Sequence, residues 1–589
     1  MTELSNNIWL KDRWKGGTLA IWIVIALILL VARMDAISAL ALADTDDNLR
    51  LAQVRALLGG QPWYDLIQYR LAPPNGANIH WSHLPDLPIA GLILLLDPLI
   101  GNAAAERWAV ALAPMLPLAI GFFAIALIAR RIVTPIAWPI ALLTTLCAGI
   151  LMPMWIPLRI DHHGWQLALL AVSLAGLVDS RAARGGVTSG IATALSLTIG
   201  LEMIAFLALV GAATALFWVR DRAENIRIAA YGASLGGGAA IGFALFASQA
   251  NRMAVCDALS PVWLSAVAAA GALLVLLAVL PLQNWRVRLA VGALAGGTLA
   301  VGFALAWPHC LGRPEGVSAG LQALWLDNVS EARPLYQQEW RKALLIVALP
   351  ISGLIGYALA VIQAWRSADK LAPMLALSTM ALASVILLFW QVRTAPASQL
   401  LAIPGATILG MYVIPRWRAS VHMLPRVFGS LAAVAVTTGL WAVIPIIAFP
   451  EQIEPDLIAA GDSLGCSSAA AFAPIVDLPD ATILTPIDLA PRLIVMTGHN
   501  GIAGPYHRNG EAILDVFDGF RGDDARLRET ISRYDVDYVL LCPGMSGEGY
   551  YGANDPASSF ARLIDDDAPD GLEPHELPDN SSFKLWRVR

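Results

Sequence analysis

Repeated apolar stretches of about 20 residues dominate this chain, the length a helix needs to cross a hydrocarbon core of about 30 Å. Strict period-2 alternation is rare within them, so helical spans are expected rather than an outer-membrane barrel. Of the 589 residues 57% are hydrophobic and only 14% charged, against about 25% charged in an ordinary soluble domain. A soluble protein is excluded. The first apolar run, 17 to 32, follows Lys11, Arg13 and Lys15 and shows no small-residue cleavage site before Asp35, so it reads as a retained first span.

Basic residues in short loops mark the cytoplasmic side of a membrane protein. Setting Arg130/Arg131, Arg181/Arg184, Arg220/Arg222, Arg286/Arg288, Arg366/Lys370 and Arg416/Arg418/Arg426 on one side yields about thirteen spans. They fall at 17–34, 105–129, 132–152, 164–178, 187–200, 201–219, 228–249, 262–282, 289–307, 342–363, 372–391, 398–414 and 425–448. Residues 86–101 are also apolar but are read as interfacial or re-entrant, since another span there would invert everything after it. The stretch 187–219 is divided at Glu202. A charge within a span costs about 2.5 to 3.5 kcal/mol on insertion scales and tends to line a polar cavity, although a cap near the surface explains Glu202 equally well.

Residues 450–589 carry 10 Lys and Arg against 24 Asp and Glu, a net of −14 that leaves +8 for the preceding part. The expected fold class is therefore an α-helical polytopic membrane protein with a separate acidic domain. Residues 1–449 form the membrane domain, with a long first outer loop at about 35–86 and another at 308–340, and residues 450–589 lie outside the cytoplasm. A helix-like run at 525–534 feeding an apolar run at 536–542 predicts a mixed α/β tail. The charge balance gives no support to nucleic-acid binding. Five cysteines show no CxxC pair and no zinc-ligand spacing. Cys256 with Cys310, or Cys466 with Cys542, could pair in an oxidising compartment, but the sequence alone favours five small unpaired side chains.

Three polar clusters share the outer side of this scheme. The first loop holds Asp44-Thr45-Asp46-Asp47-Asn48-Leu49-Arg50, then Asn75-Gly76, then His80-Trp81-Ser82-His83-Leu84-Pro85-Asp86; the second holds Arg159-Ile160-Asp161-His162-His163; the 308–340 loop holds Asp327-Asn328-Val329-Ser330-Glu331. Carboxylates with a histidine are the ligands that a hard divalent ion such as Mg²⁺ or Mn²⁺ accepts. Each cluster alone also reads as solvated surface or a helix cap. Their coincidence at span ends on one side is the stronger signal.

The ordered set of Asp44 to Arg50, the Asn75-Gly76 turn, Trp81 to Asp86, Asp161-His162-His163 and Val329-Ser330-Glu331 resembles the catalytic subunit of oligosaccharyltransferases, above all the single-chain archaeal and bacterial forms of the GT-C membrane glycosyltransferases. The resemblance implies thirteen spans, a long first outer loop and an outer C-terminal domain. It also implies a catalytic set of Asp44, Asp161 and Glu331, and a metal set of Asp44, Asp161, His163 and Glu331 for Mg²⁺ or Mn²⁺. Arg393, in Gln391-Val392-Arg393-Thr394, takes the place of the arginine that holds the lipid phosphate, with His162 also on the donor side; read alone, Arg393 is an interfacial snorkelling residue. One departure is clear. The family's Trp-Trp-Asp motif for reading Asn-x-Ser/Thr is absent, since Trp586 is the only tryptophan after position 450. Polar clusters around Asp488, His499 and His507 stand in that region as a candidate acceptor-binding edge, or as ordinary turns.

The implied reaction is inverting glycosyl transfer from a polyprenyl-(pyro)phosphate sugar or oligosaccharide to a protein, lipid or polysaccharide acceptor at the outer face of a cell (inner or plasma) membrane. A divalent ion would neutralise the departing phosphate as a Lewis acid. A transferase using a polyprenyl-monophosphate sugar to modify a lipid or polysaccharide needs the same acidic loops without sequon reading. A transporter or flippase would instead set its ionisable residues near mid-span and show internal repeats, which the sequence lacks.

Overall fold

The computed structural model describes residues 8–367, 370–449, 463–466, 468–545 and 547–589. Among these, eight helices are long and apolar enough to cross a membrane, or nine if the bent pair Met423–Thr438 and Leu440–Ala448 counts as one span. The chain is a multi-pass helical membrane protein. Each of the thirteen expected spans falls on helix, but thirteen crossings are not reached by that measure. Trp138–Leu146, His163–Leu177, Ala182–Ile199 and Ile204–Arg220 are shorter, or rich in Ser, Thr and Gly. The physical reason lies in packing: most of His163–Leu177 and Ala182–Ile199 is buried against neighbouring helices, and a helix screened from lipid need not be uniformly apolar. At the other extreme, Trp285–Ala306 buries only Arg288 and exposes Leu294, Val301 and Leu305, a face suited to lipid. The 100° bend of the last pair occurs at Gly439, whose φ of +79° is a left-handed conformation open to glycine.

Small residues let the helices approach. Gly232 of Asn225–Phe246 meets the backbone of Gly271 in Pro261–Val279, and Gly356 of Trp340–Ser367 meets the Gly405 carbonyl of Ala395–Arg418. In lipid, where apolar surface gains little from pairing with apolar surface, such close packing is what holds helices together.

The two ends of the bundle differ in charge. At the C-terminal end of His163–Leu177, Asp179 accepts from Arg131 at 2.6 Å and from Arg184 at 2.7 and 2.8 Å, and Arg227 donates to the carbonyls of Gly176, Leu177 and Asp179. The N-terminal end of the same helix carries Asp161 and His162.

The first loop contains the helix Thr45–Leu58 and an antiparallel pair, β1 (Ile67–Gln68) and β2 (Ala77–Asn78). The C-terminal part holds a five-stranded sheet of β3 (Thr482–Leu484), β4 (Asn500–Gly501), β5 (Tyr538–Leu541), β6 (Leu572–Pro574) and β7 (Lys584–Val588) in the order β4-β3-β5-β7-β6. Its β4/β3 and β3/β5 pairs are parallel, and β5/β7 and β7/β6 antiparallel. The helix Asp524–Arg533 feeds β5, as the 525–542 pattern predicts. Phe517, Phe520, Tyr551, Phe560 and Trp586 pack one side of the sheet, and Phe472, Leu493, Tyr538 and Phe583 the other. This is the expected mixed α/β tail. The domain boundary expected at 449/450 adjoins residues 450–462, which lie outside the described residues.

Both cysteine pairs are joined, Cys256 to Cys310 and Cys466 to Cys542, with Cα atoms 5.4 and 6.3 Å apart; Cys147 is free. The reading of five unpaired cysteines is thus corrected. Separations of 54 and 76 residues give no local sequence signal for a bridge that tertiary folding alone assembles.

Candidate active site

Asp44 opens the site as the N-cap of Thr45–Leu58: its backbone is extended and its carboxylate accepts the Thr45 N–H at 2.6 Å. A carboxylate there is favoured by the unpaired N–H groups and the positive end of the helix. The other Asp44 oxygen accepts from Arg159 at 2.6 Å, and Arg159 also reaches Asp47 at 3.2 Å and Asp161 at 3.6 Å. Three carboxylates from two loops therefore share one guanidinium. Asp47 is fully buried and accepts the Asp161 N–H at 2.8 Å, fastening the second loop to the first helix.

From there the second loop turns into His163–Leu177. Asp161 pairs with the Nδ1 of His162 at 2.6 Å and with that of His163, and the two imidazoles stack with centroids 4.5 Å apart. Ligand-capable atoms of Asp161, His162 and His163 all lie within 4.8 Å of one another. His162 reaches Glu202 at 3.0 Å, and Gln166, one turn along the same helix face, donates to Glu202 at 2.6 Å. Behind them Arg50 pairs with Asp86, approaches His162 Nδ1 at 3.3 Å and lies over the Trp81 ring at 4.7 Å; His83 reaches Asp86 at 2.7 Å. The short motifs of the first two outer loops thus meet in one buried network.

Burial pushes the Asp47 carboxyl up to about 7, with Arg159 opposing and Asp161 adding to the rise. Asp46, which makes no hydrogen bond among the described residues, is also raised well above the usual carboxylate range by burial and then by Asp161 and Asp44. Burial acts the same way on Asp161, but the adjacent His162 and His163 outweigh it and hold that carboxyl well below its ordinary value. Burial lowers His162, whereas the Asp161 and Glu202 carboxylates overcome it and bring the imidazole to about 10. The result is a crowd of carboxylates, two of them pushed toward their neutral form, set against the cationic Arg159 and His162. An Asp-rich set with one imidazole fits a hard divalent ion.

The remaining candidates separate. Glu331 pairs with Arg393 at 2.8 Å; both are partly exposed, and Glu331 makes no contact with Asp161. It stands close enough to Asp46 to raise that carboxyl, so the pair borders the same acidic centre. His162 is buried and fully engaged, behind the site rather than in its opening. Asp488 is exposed but lies near the centre: surrounding protein first, and Asp44 second, push its carboxyl up to about 6. His499 is buried, with its Nε2 2.7 Å from the Ile475 carbonyl oxygen, and has no path to an acceptor. His507 pairs with Asp257 at 2.6 Å, away from the Asp161 cluster.

The edge around His499 is bound by the chain itself. Gly501 N–H donates to Arg70, Ala72 N–H donates to Gly501, and Arg70 donates to the carbonyls of Ile494, Thr497 and His499, so the first loop covers β4. An edge covered this way is protected from pairing with other chains. Tyr506 donates to the Thr45 carbonyl at 3.0 Å and Arg492 to that of Leu42 at 2.9 Å, seating the C-terminal part over the Asp44 cap. Sequence reading placed Arg159, Asp46 and Asp47 within the polar clusters but assigned none of them an individual role. An arginine two residues before Asp161, the only acidic residue of that loop, was the available signal for the first.

No protein-family model and no curated protein matches the chain. Solved structures do. The archaeal oligosaccharyltransferase AglB from Archaeoglobus fulgidus, in complex with an inhibitory peptide and a dolichol-phosphate, matches 98% of this chain and 75% of its own at a TM-score of 0.65 and 12% identity. An Archaeoglobus fulgidus oligosaccharyltransferase tethered to an acceptor peptide with the NVT sequon matches 99% and 75% at 0.65 and 15% identity. Its complex with Zn and sulfate matches 91% and 69% at 0.58 and 14% identity. The fold implied by the short motifs is the fold found.

Proposed function

We propose that the chain is a metal-dependent, inverting GT-C glycosyltransferase that moves a sugar or oligosaccharide from a polyprenyl-(pyro)phosphate to an acceptor at the outer face of a cell membrane. The observation carrying this reading is the convergence of Asp44, Asp47 and Asp161 on one guanidinium beside His163, at the end of the bundle covered by the C-terminal part. The likeness to a fold that holds dolichol-phosphate in A. fulgidus supports the donor class.

Asp44, Asp161 and His163 would hold a Mg²⁺ or Mn²⁺ ion, with Glu331 as a further ligand. When bound, the ion supplies Lewis-acid neutralisation of the departing phosphate. Arg393 complements the lipid phosphate, and its present partner Glu331 is freed from the pair as it does so. Asp44, on the partly exposed rim, accepts the hydrogen bond or proton of the incoming acceptor. Asp47 and Asp86 act as positioning residues, fixing the second loop and Arg50. Cys466–Cys542 in the tail and Cys256–Cys310 in the loops beneath it support an oxidising compartment on that side.

For the acceptor, a lipid or polysaccharide is favoured over a sequon peptide by one observation: Trp586, the tail's only tryptophan, is buried in the sheet and cannot meet a peptide. The test is mass spectrometry of lipid-linked sugars and glycans in native cells with and without the gene. One polyprenyl-linked sugar should accumulate and one glycoconjugate disappear, restored by the wild-type gene but not by Asp161→Ala or His163→Ala. Unchanged lipid-linked sugars and glycans in the deletion would overturn the assignment. EDTA should abolish transfer in membranes, and Mg²⁺ or Mn²⁺ restore it.

A further inference from the structure

A second cluster of ligand-type side chains lies outside the acidic centre. Ligand-capable atoms of His80, Asp257 and His507 lie within 4.8 Å of one another. They come from three distant parts of the chain: His80 from the first loop, Asp257 from the 247–260 loop, and His507 from the C-terminal part. The rings of His80 and His507 are 4.6 Å apart, and His507 Nε2 reaches Asp257 at 2.6 Å. Most of the cluster is withdrawn from water: side-chain exposure is 9% for Asp257 and 11% for His507. His80 Nδ1 is buried with no hydrogen-bond partner among the described residues, an arrangement that is unfavourable unless something meets it.

We propose that His80, Asp257 and His507 form a second metal site, for a borderline divalent ion of the zinc type, which clamps the C-terminal part to the membrane domain. Two imidazoles and one carboxylate are a ligand set that zinc accepts, with water in the fourth tetrahedral position, whereas the carboxylate-rich centre around Asp161 suits harder ions. The outer contacts needed to orient such ligands are in place. Arg508 holds both carboxylate oxygens of Asp257, Oδ1 at 2.6 Å and, beside His507, Oδ2 at 2.7 Å, and the His80 carbonyl accepts from Asn251 at 2.9 Å. The Cys256–Cys310 bridge, beside Asp257, anchors the middle ligand's loop. With metal–ligand bonds of about 2.0 to 2.1 Å, tetrahedral ligand atoms lie about 3.3 Å apart, so the His507–Asp257 hydrogen bond would open by under about 1 Å. The site does not depend on the transferase reading.

The experiment uses the full chain in detergent, purified without a metal-affinity tag, stripped with EDTA and incubated with ZnCl₂ in excess Mg²⁺. Bound zinc is counted by mass spectrometry after desalting. The Asp161→Ala/His163→Ala double variant, disabled at the acidic centre, should retain about one zinc per chain, and adding His80→Gln and His507→Gln should remove at least nine-tenths of it. Zinc should raise the Tm of the first variant and not of the second. In case the quadruple variant fails to fold, Co²⁺ in the Asp161→Ala/His163→Ala variant should give the intense visible absorption of a four-coordinate site, lost on zinc addition. No zinc in that variant, zinc unaffected by the His80 and His507 changes, or a weak six-coordinate cobalt spectrum would overturn the proposal and leave the three side chains as a hydrogen-bonded latch.

Discussion

Arg159 shows how much one side chain can decide at this site. It stands where Asp44, Asp47 and Asp161 would otherwise face one another, and Asp47 is fully buried. Breaking a buried ion pair by removing one partner costs about 3 to 5 kcal/mol, because the remaining charge has neither water nor a counter-ion. Arg159→Ala should therefore lower the Tm in metal-free buffer. The same change leaves more unneutralised carboxylate, so the Tm gained on adding Mn²⁺ should be larger in Arg159→Ala than in wild type; an equal or smaller gain would show that these carboxylates do not hold the ion. Asp488 gives a second residue-level expectation. Its carboxyl is raised to about 6 by surrounding protein and by Asp44. A folded value above the unfolded value near 3.9 penalises the folded state, with no penalty below the unfolded value and the full penalty once pH has risen through about 6. Because more than a third of the residue is open to water, which screens much of this penalty, Asp488→Asn should melt only slightly higher than wild type at about pH 7.5 and equal to it at about pH 4; a stabilisation that does not vary with pH would refute this origin. Asp44, Asp161 and His163 were singled out by the resemblance to oligosaccharyltransferases, in loops where carboxylates and imidazoles at span ends are already chemically conspicuous. The work of Arg159 was not visible, since an arginine near a membrane surface is ordinary until its partners are known. His499 misled for the opposite reason: a polar residue in a turn-like stretch was buried by the first loop that folds over it.

Individual helices were legible where lipid, rather than protein, surrounds them. Trp285–Ala306 and Pro261–Val279 face outward along most of their length, so uniform apolarity is written into their residues. Ala182–Ile199 is packed between helices and is instead written in Gly, Ser and Thr, which blurs the crossing signal while enabling close contact. Gly356 and Gly296 separate these two uses of glycine. A Cβ at Gly356 would collide with the Gly405 carbonyl of the facing helix, whereas one at Gly296 meets nothing within 4 Å. Gly356→Ala should cost about 1 to 3 kcal/mol through forced separation of Trp340–Ser367 from Ala395–Arg418. Gly296→Ala should be neutral or gain up to about 1 kcal/mol of helix propensity. Thermal unfolding of both variants in one detergent decides it: equal melting temperatures would mean that the Gly356 contact carries no packing constraint.

At the scale of the whole molecule three asymmetries coincide. Arg131, Arg184 and Arg227 crowd one end of the bundle and tie its helices through Asp179 and backbone carbonyls. The opposite end gathers the acidic centre and the C-terminal part, and Cys256–Cys310 lies in the loops beside its His507–Asp257 contact. Lys and Arg in short loops are retained in the cytoplasm, and disulfides persist where thiols are not kept reduced. These are independent physical filters, one acting during insertion and one on the finished protein, and both support the orientation we propose: basic end inside, acidic centre and tail outside. Contacts across the chain fix which parts share a side: Tyr506 and Arg492 hold the tail against the Asp44 helix, so an even number of crossings separates the two. The expected outcome is concrete. Ser180 and Ala557 are both exposed, one beside the Arg181/Arg184 turn and the other on the tail. In intact cells of the native type, a membrane-impermeant maleimide should label Ala557→Cys and leave Ser180→Cys unlabelled until the membrane is permeabilised. The reverse pattern would place the acidic centre in the cytoplasm and remove the basis for transfer at the outer face; labelling of both before permeabilisation would break the assumption of a single orientation.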